Sequence, residues 1–207
     1  MVVLSFTNPE QTDVKPEPVP LNIVYEDDTI LVLNKPVNMV VHPGVGNYSG
    51  TLLNGIAYHL LQQNPSLTEE ALPRYGLVHR IDKNTTGLLV CAKTGEAAAH
   101  LAKQFFNHTV SRKYLALVWG NMEADEGTIE AHIGRHLRFR KIYDAFPDGD
   151  YGKHAVTHYK VLERFNYVTL AECVLETGRT HQIRVHMQHI GHTLFNDREY
   201  GGDKILK

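Results

Sequence analysis

The chain has 207 residues, 43% hydrophobic and 21% charged, which is enough to bury a sizeable core and excludes a disordered tail, a collagen or a disulfide-stapled miniprotein. Twenty-one Lys and Arg against 23 Asp and Glu give a formal charge of −2, which argues against a protein that holds nucleic acid mainly by releasing counterions. No apolar run approaches the roughly 20 residues of a membrane span, and the N-terminus has no signal-peptide pattern. Cys91 and Cys173 lie far apart in apolar runs, as buried reduced thiols do. A soluble cytoplasmic monomer with no membrane association is expected.

Residues 1–20 hold four of the nine prolines and are expected to form a flexible arm, with one ordered domain over residues 21–207. Ile23 to Tyr25 and Thr29 to Asn34 are β-rich runs around the turn signal Glu26-Asp27-Asp28, a hairpin pattern. Thr51 to Gln63 reads as a helix, with Leu52, Ile56 and Leu60 four apart. Gly87 to Ala92 reads as a buried strand, and Gly95 to Asn107 as a second helix capped by Thr94. Tyr114 to Trp119 is apolar on both faces and is expected to be a central strand. Val156 to Phe165 and Tyr167 to Leu175 read as longer paired strands. Thr180 to Ile190 reads as a third helix, capped by Thr180, burying Ile183, Met187 and Ile190, and stopped by Gly191. Many strands and few helices give an α+β class, with a mixed, largely antiparallel sheet flanked by helices and loops.

Three stretches carry chemistry. The first is His79-Arg80-Ile81-Asp82-Lys83-Asn84-Thr85-Thr86-Gly87, which places a carboxylate in a turn-forming loop against buried sheet, amid positive charge; the plainer alternative is that Asp82 merely closes the turn. The second is Thr177 to Met187, which clusters Arg179, His181 and Arg184 on the opening turn of a helix, where anions are favoured. The chain has 13 histidines, and His181, His186, His189 and His192 fall close together. Their spacings of five, three and three lack the zinc-protease pattern, so satisfied polar faces are preferred to a metal site. The third is Arg135-His136-Leu137-Arg138-Phe139-Arg140-Lys141, where cations interleaved with an aromatic suit phosphate contact and base stacking, a solvated loop being the alternative. Gly44, Gly46 and Gly50 miss the dinucleotide fingerprint and read as a turn.

Together these residues resemble the RluA-type pseudouridine synthase family. His79 to Gly87 resembles its His-Arg-Leu-Asp signature. Asn34-Lys35-Pro36 with Val41-His42-Pro43-Gly44 resembles its first motif, and Arg112 to Ala116 its tyrosine segment. Thr177 to Met187, continuing to Asp197 and Tyr200-Gly201-Gly202, resembles its third motif. Ile133 to His136 and Gly152 to Tyr159 are most similar to the branch of ribosomal large-subunit pseudouridine synthase D. The resemblance implies the family's catalytic fold and isomerisation of uridine to pseudouridine in RNA, most simply large-subunit ribosomal RNA, without cofactor or metal. It implies that Asp82 is the catalytic aspartate, Arg184 its partner, Tyr114 the residue stacked on the target base, and Arg80 the residue that enters the RNA stack as the uridine flips out. His79, Lys83, Thr86, Arg135, Arg138, Arg140, Lys141, Arg179 and His181 are the expected RNA contacts. A single carboxylate suits rearrangement, since hydrolysis uses a second to deliver water. Asn38 and Asn196 depart from the family, standing where it commonly has Gly or Asp, and Gly; at Asn196 a shifted loop is expected. Residues 1–20 are too short for the RNA-binding domain this branch usually carries, and relatives continue past Gly201-Gly202, so a catalytic domain with a trimmed C-terminal end is expected. A catalytically weak RNA-binding or ribosome-assembly factor, a tRNA-directed synthase and a histidine-rich metal protein are the alternatives.

Overall fold

The computed structural model describes residues 14–203. Residues 1–13 of the arm expected over residues 1–20 lie outside the described residues. From sequence, residues 21–207 are expected to form one domain; the described residues group into two compact units that divide between Asn107 and His108. Residues 107–112 contain neither Pro nor Gly, so composition gives no boundary signal there.

In the first unit, β1 (Ile23–Glu26), β2 (Ile30–Lys35) and β3 (Gly87–Ala92) form an antiparallel sheet in that order. The hairpin turn is closed by Asp27, whose carboxylate accepts the backbone N–H groups of Thr29 and Ile30, both at 2.7 Å. Helix α1 (Leu52–Gln63) starts at a capping box in which Thr51 and Asn54 satisfy each other's backbone N–H groups. Its Leu53, Ile56, Ala57 and Leu60 pack against Leu31, Leu33, Leu89 and Cys91 of the sheet. Helix α2 (Gly95–Phe106) begins at the expected cap, with the Ala97 N–H donating to the Thr94 hydroxyl at 3.2 Å. Gly44 to Gly50 is a turn: Gly44 pairs with Asn47, and Gly46 and Gly50 take positive φ.

Residues 14–20, expected to belong to the arm, are instead docked on α1. Glu17 N–H donates to Asn54 O at 3.1 Å, the Asn54 amide donates to Lys15 O at 2.8 Å, and Val14 is buried. Pro16, Pro18 and Pro20 remove alternate donors, while the residues between them supply the contacts. Gly55 makes room, since a Cβ there would lie 3.0 Å from the Val19 and Leu21 side chains.

The second unit holds β4 (Lys113–Trp119), β5 (Glu126–Arg135), β6 (Tyr143–Phe146), β7 (Lys153–Phe165), β8 (Val168–Leu175) and α3 (Gln182–His189). Its antiparallel sheet runs β4-β8-β7-β5-β6. From sequence β4 is expected at the centre; it is an edge strand. Ala116 and Val118 face the core, while Leu115 is 68% exposed. Strands β5 and β6 had no counterpart in the sequence expectations, although Ile129, Ala131 and Ile133 alternate inward along β5.

Helix α3 packs on β5, β6 and β7. It is shorter than expected, and its N-cap position is His181 in the left-handed region (φ 57°), not Thr180. Gln182 accounts for the difference: its side-chain oxygen accepts from Arg179 N–H (2.9 Å) and the Thr177 hydroxyl (2.8 Å), and its amide donates to Val156 O (2.9 Å). The loop is thereby drawn onto β7, and Gln182, rather than Thr180, organises the helix entry. Val185, His186 and Met187 are buried, whereas Ile183 and Ile190 are only partly so. Gly191 ends the helix as expected, with its N–H on Gln188 O and that of His192 on Met187 O.

Candidate active site

The signature loop of the first unit emerges beneath β3, where Leu77 bridges to Cys91. His79, Arg80, Asp82, Lys83 and Thr86 share this loop, and Thr85 N–H closes the turn on Asp82 O at 3.1 Å. The His79 ring is taken up by the fold: its Nε2 accepts Val90 N–H at 3.1 Å, and it stacks on Phe105 at 4.3 Å between centroids. Arg80, Lys83 and Thr86 are exposed, and Asp82 is half-buried.

Lys35, to which the sequence reading gave no role, staples this turn. Its side chain is fully buried, and the ammonium donates to Pro36 O (2.8 Å), Met39 O (2.9 Å) and Lys83 O (3.0 Å). Burial pulls its pKa down, and the neighbouring Asp82 charge pulls it back up. A signal was present: Leu31, Leu33 and Lys35 share the inward face of β2 at spacing two. A cation is thus buried beside the loop that carries the carboxylate, with all three of its protons used.

In the second unit, Tyr114 sits on β4 opposite Cys173 and packs against the core around Ala116 and Val118. Neighbouring Arg112 donates to Leu175 O (3.2 Å) and Glu176 O (2.8 Å). Burial lowers its pKa, and the Tyr114 side chain opposes that shift.

Arg184, on α3, is gripped by two carboxylates the sequence did not assign. Its Nε donates to Asp197 at 2.6 Å and its Nη2 to the other Asp197 oxygen at 2.8 Å, with a further bond to Glu199 at 2.5 Å. The guanidinium lies over the Tyr200 ring, 4.7 Å from its centroid. The Tyr200 hydroxyl bonds His181 Nδ1 at 2.8 Å and accepts Tyr143 N–H at 3.0 Å. Burial pushes the Tyr200 phenol up to about 12, so it stays protonated. Arg135 in turn lies over the Tyr143 ring at 5.4 Å. An unbroken chain of contacts therefore joins Arg135, Tyr143, His181, Tyr200, Arg184 and Asp197. Thirteen residues separate Arg184 from Asp197, and no local pattern marks them as a pair.

The basic loop is ordered from within. Arg135 donates to Arg140 O at 2.6 Å, and the His136 Nδ1 accepts the N–H groups of Arg138 and Phe139, both at 3.1 Å. Arg138 lies over Phe139, while Arg140 and Lys141 are exposed. Arg179 donates to His154 O at 2.9 Å. His186 is buried against the Thr157 hydroxyl at 2.9 Å. Both cysteines are free and buried, their thiols pushed up to about 12 by burial. Among the described residues, no group of three or more His, Cys, Asp or Glu side chains could hold a metal ion, and no helix is long and apolar enough to cross a membrane.

Asn38 and Asn196 take φ of 63° and 61°. The family's glycine suits that backbone, and Asn is among the side-chain-bearing residues that enter it most readily. The loop at Asn196 is closed by its N–H on Gly202 O at 2.7 Å.

The first antiparallel α+β unit carries the aspartate loop, and the second carries the tyrosine strand and the carboxylate-held arginine helix. Residues 29–189 match the family model described as RNA pseudouridylate synthase, and the chain belongs to that family. It is 49% identical over 205 residues to the uncharacterized RNA pseudouridine synthase YlyB of Bacillus subtilis, a match covering 99% of this chain and 66% of that protein. It is 52% identical over 185 residues to the ribosomal large subunit pseudouridine synthase D of Nitrosomonas europaea, covering 89% of this chain and 51% of that one. Among solved structures, human RNA pseudouridylate synthase domain containing 1 superposes with a TM-score of 0.69 at 27% identity, covering 94% of this chain and 73% of the human one. The chain thus spans about half to two-thirds of the length of the curated relatives it matches.

Proposed function

We propose that this chain isomerises uridine to pseudouridine in RNA, with large-subunit ribosomal RNA as its substrate. The observation that carries the proposal is the Asp82 turn, stapled to β2 by the buried Lys35 ammonium, in a chain of this family. In the reaction the bond from ribose C1′ to uracil N1 breaks, the base turns, and C1′ joins C5; the C5 proton is lost and N1 gains one. The breaking bond develops oxocarbenium character, which the Asp82 carboxylate stabilises or traps at the sugar. Arg184 is assigned as its cationic partner. Tyr114 stacks on the flipped base and excludes the water that would otherwise release free uracil. Arg80 fills the gap left in the RNA stack, offsetting an unstacking cost of a few kcal/mol. Lys83, Thr86, Arg135, Arg138, Arg140, Lys141, Arg179 and His181 are the proposed RNA contacts, and His79 contributes by holding the loop on β3. The relative named synthase D supports the choice of ribosomal RNA.

The test is pseudouridine formation on large-subunit rRNA transcript, mapped by chemical derivatisation and reverse-transcription stops. Asp82→Asn should abolish product while leaving RNA binding within about twofold. Undiminished product in that variant would overturn the assignment. Binding without turnover by the unaltered chain would favour an RNA-binding factor instead.

A further inference from the structure

The second unit contains a cleft of about 700 Å³ between the β6–β7 connection and the loop that leads into α3, within the range of small-ligand sites. Its walls combine aromatic rings with cations. Tyr151 lies against Gly134, where a Cβ would come within 2.6 Å of the ring, and meets Phe146 edge-on at 4.9 Å. Tyr143 also lines the cleft, its ring beneath Arg135. Arg179 and Lys153 also line the cleft. Arg179 Nε is spent on His154 O, and its terminal nitrogens have no protein partner among the described residues. Asp150 also lines the cleft and supplies an acceptor. The backbone of Gly152 lies against that of Ile133 and Gly134, so a Cβ there would clash.

We propose that this cleft binds one unstacked nucleotide of the RNA, as a subsite separate from the target uridine. The inference rests on the RNA-modifying function proposed above. The aromatic walls take the base by stacking, which is tolerant of sequence because every base has a π-face. Arg179 and Lys153 take the 5′-phosphate as a charge-assisted pair. Asp150 repels phosphate, so that end of the cleft takes a base N–H or the ribose 2′-hydroxyl, the group that marks RNA. A chain of near-neutral formal charge gains from such a pocket, because stacking adds affinity that does not depend on counterion release.

The probe is uridine 5′-monophosphate, titrated into ¹⁵N-labelled full-length protein and followed by amide shifts, with inorganic phosphate as the second arm. Saturable shifts at Gly134, Gly149, Gly152 and Gly178 are expected with the nucleotide, and binding about tenfold weaker with phosphate alone. Tyr151→Ala and Arg179→Gln should each weaken nucleotide binding about tenfold, a loss consistent with the stacking contribution measured at single-strand sites. Tyr151→Phe, which keeps the ring, should bind like the unaltered chain and guards against a folding artefact. Absence of shifts at these amides, equal binding of phosphate and nucleotide, or indifference to both substitutions would overturn the subsite. Turnover on rRNA transcript, assayed in parallel, reports on the catalytic proposal alone: its absence would leave the cleft result standing, and an empty cleft would leave the turnover result standing.

Discussion

Deleting the Asp197 carboxylate should loosen Arg184. The two bonds between them measure 2.6 and 2.8 Å, and the side chains are only 16% and 9% exposed. Unit charges about 4 Å apart attract by about 4 kcal/mol at an effective dielectric of about 20, which sets a ceiling. Desolvation of both groups takes back much of that gain. In Asp197→Ala, moreover, Glu199 still accepts from Arg184, and at 53% exposure it is a weaker partner. A double-mutant cycle between Asp197→Ala and Arg184→Met should therefore give a coupling of about 2 kcal/mol. The assay is urea unfolding at pH 7, analysed by linear extrapolation, for the unaltered chain, both single variants and the double. Asp197→Ala alone should lose about 3 kcal/mol, since the Glu199 N–H also loses its acceptor at 3.2 Å. Raising salt to about 1 M should leave most of the coupling, because the pair is shielded from solvent. Additive losses, with coupling below about 0.5 kcal/mol, would refute the view that this pair sets the arginine.

Lys35→Met should cost about 3 kcal/mol in urea unfolding, because three carbonyls lose a buried donor. Faster hydrogen exchange at Thr85 N–H, which closes the Asp82 turn, would place the loss; slow exchange there would argue against the staple. His186 is fully buried, and burial pulls its pKa down to about 4. The unfolded chain takes up this proton near pH 6.5 and the folded chain only near 4. Stability is therefore full above pH 6.5 and falls as pH drops from 6.5 to 4, by up to about 3 kcal/mol. His186→Gln should flatten that slope in equilibrium unfolding, and an unchanged slope would reject the assignment. Asn38→Gly should be neutral or stabilising by up to about 1 kcal/mol and Asn38→Val destabilising by about 1–2 kcal/mol, in thermal melts, because of the positive φ.

The α+β class, the β1–β2 hairpin, both helices of the first unit with the Thr94 cap, and the stretch around Asp82 were legible in the sequence. Each is written in adjacent residues: Asp27 closes its own turn, Thr51 and Thr94 cap their own helices, and four ordered motifs mark the family. Other features depended on partners distant in the chain. That β4 lies at an edge follows from its pairing with β8 alone among the strands of the described residues. That residues 14–20 are docked follows from Asn54 and Gly55, more than thirty residues on. Composition marks the prolines there but cannot see the helix they meet. In the sequence Asp197 stands in the third motif with no partner assigned, and only the folding of its loop onto α3 makes it the holder of Arg184. The sequence by itself thus determined which residue types stand ready for chemistry, because caps, turns and motifs are short-range. Tertiary structure alone decided which charges are buried, paired and held in place, because desolvation and pairing depend on what the rest of the chain brings alongside.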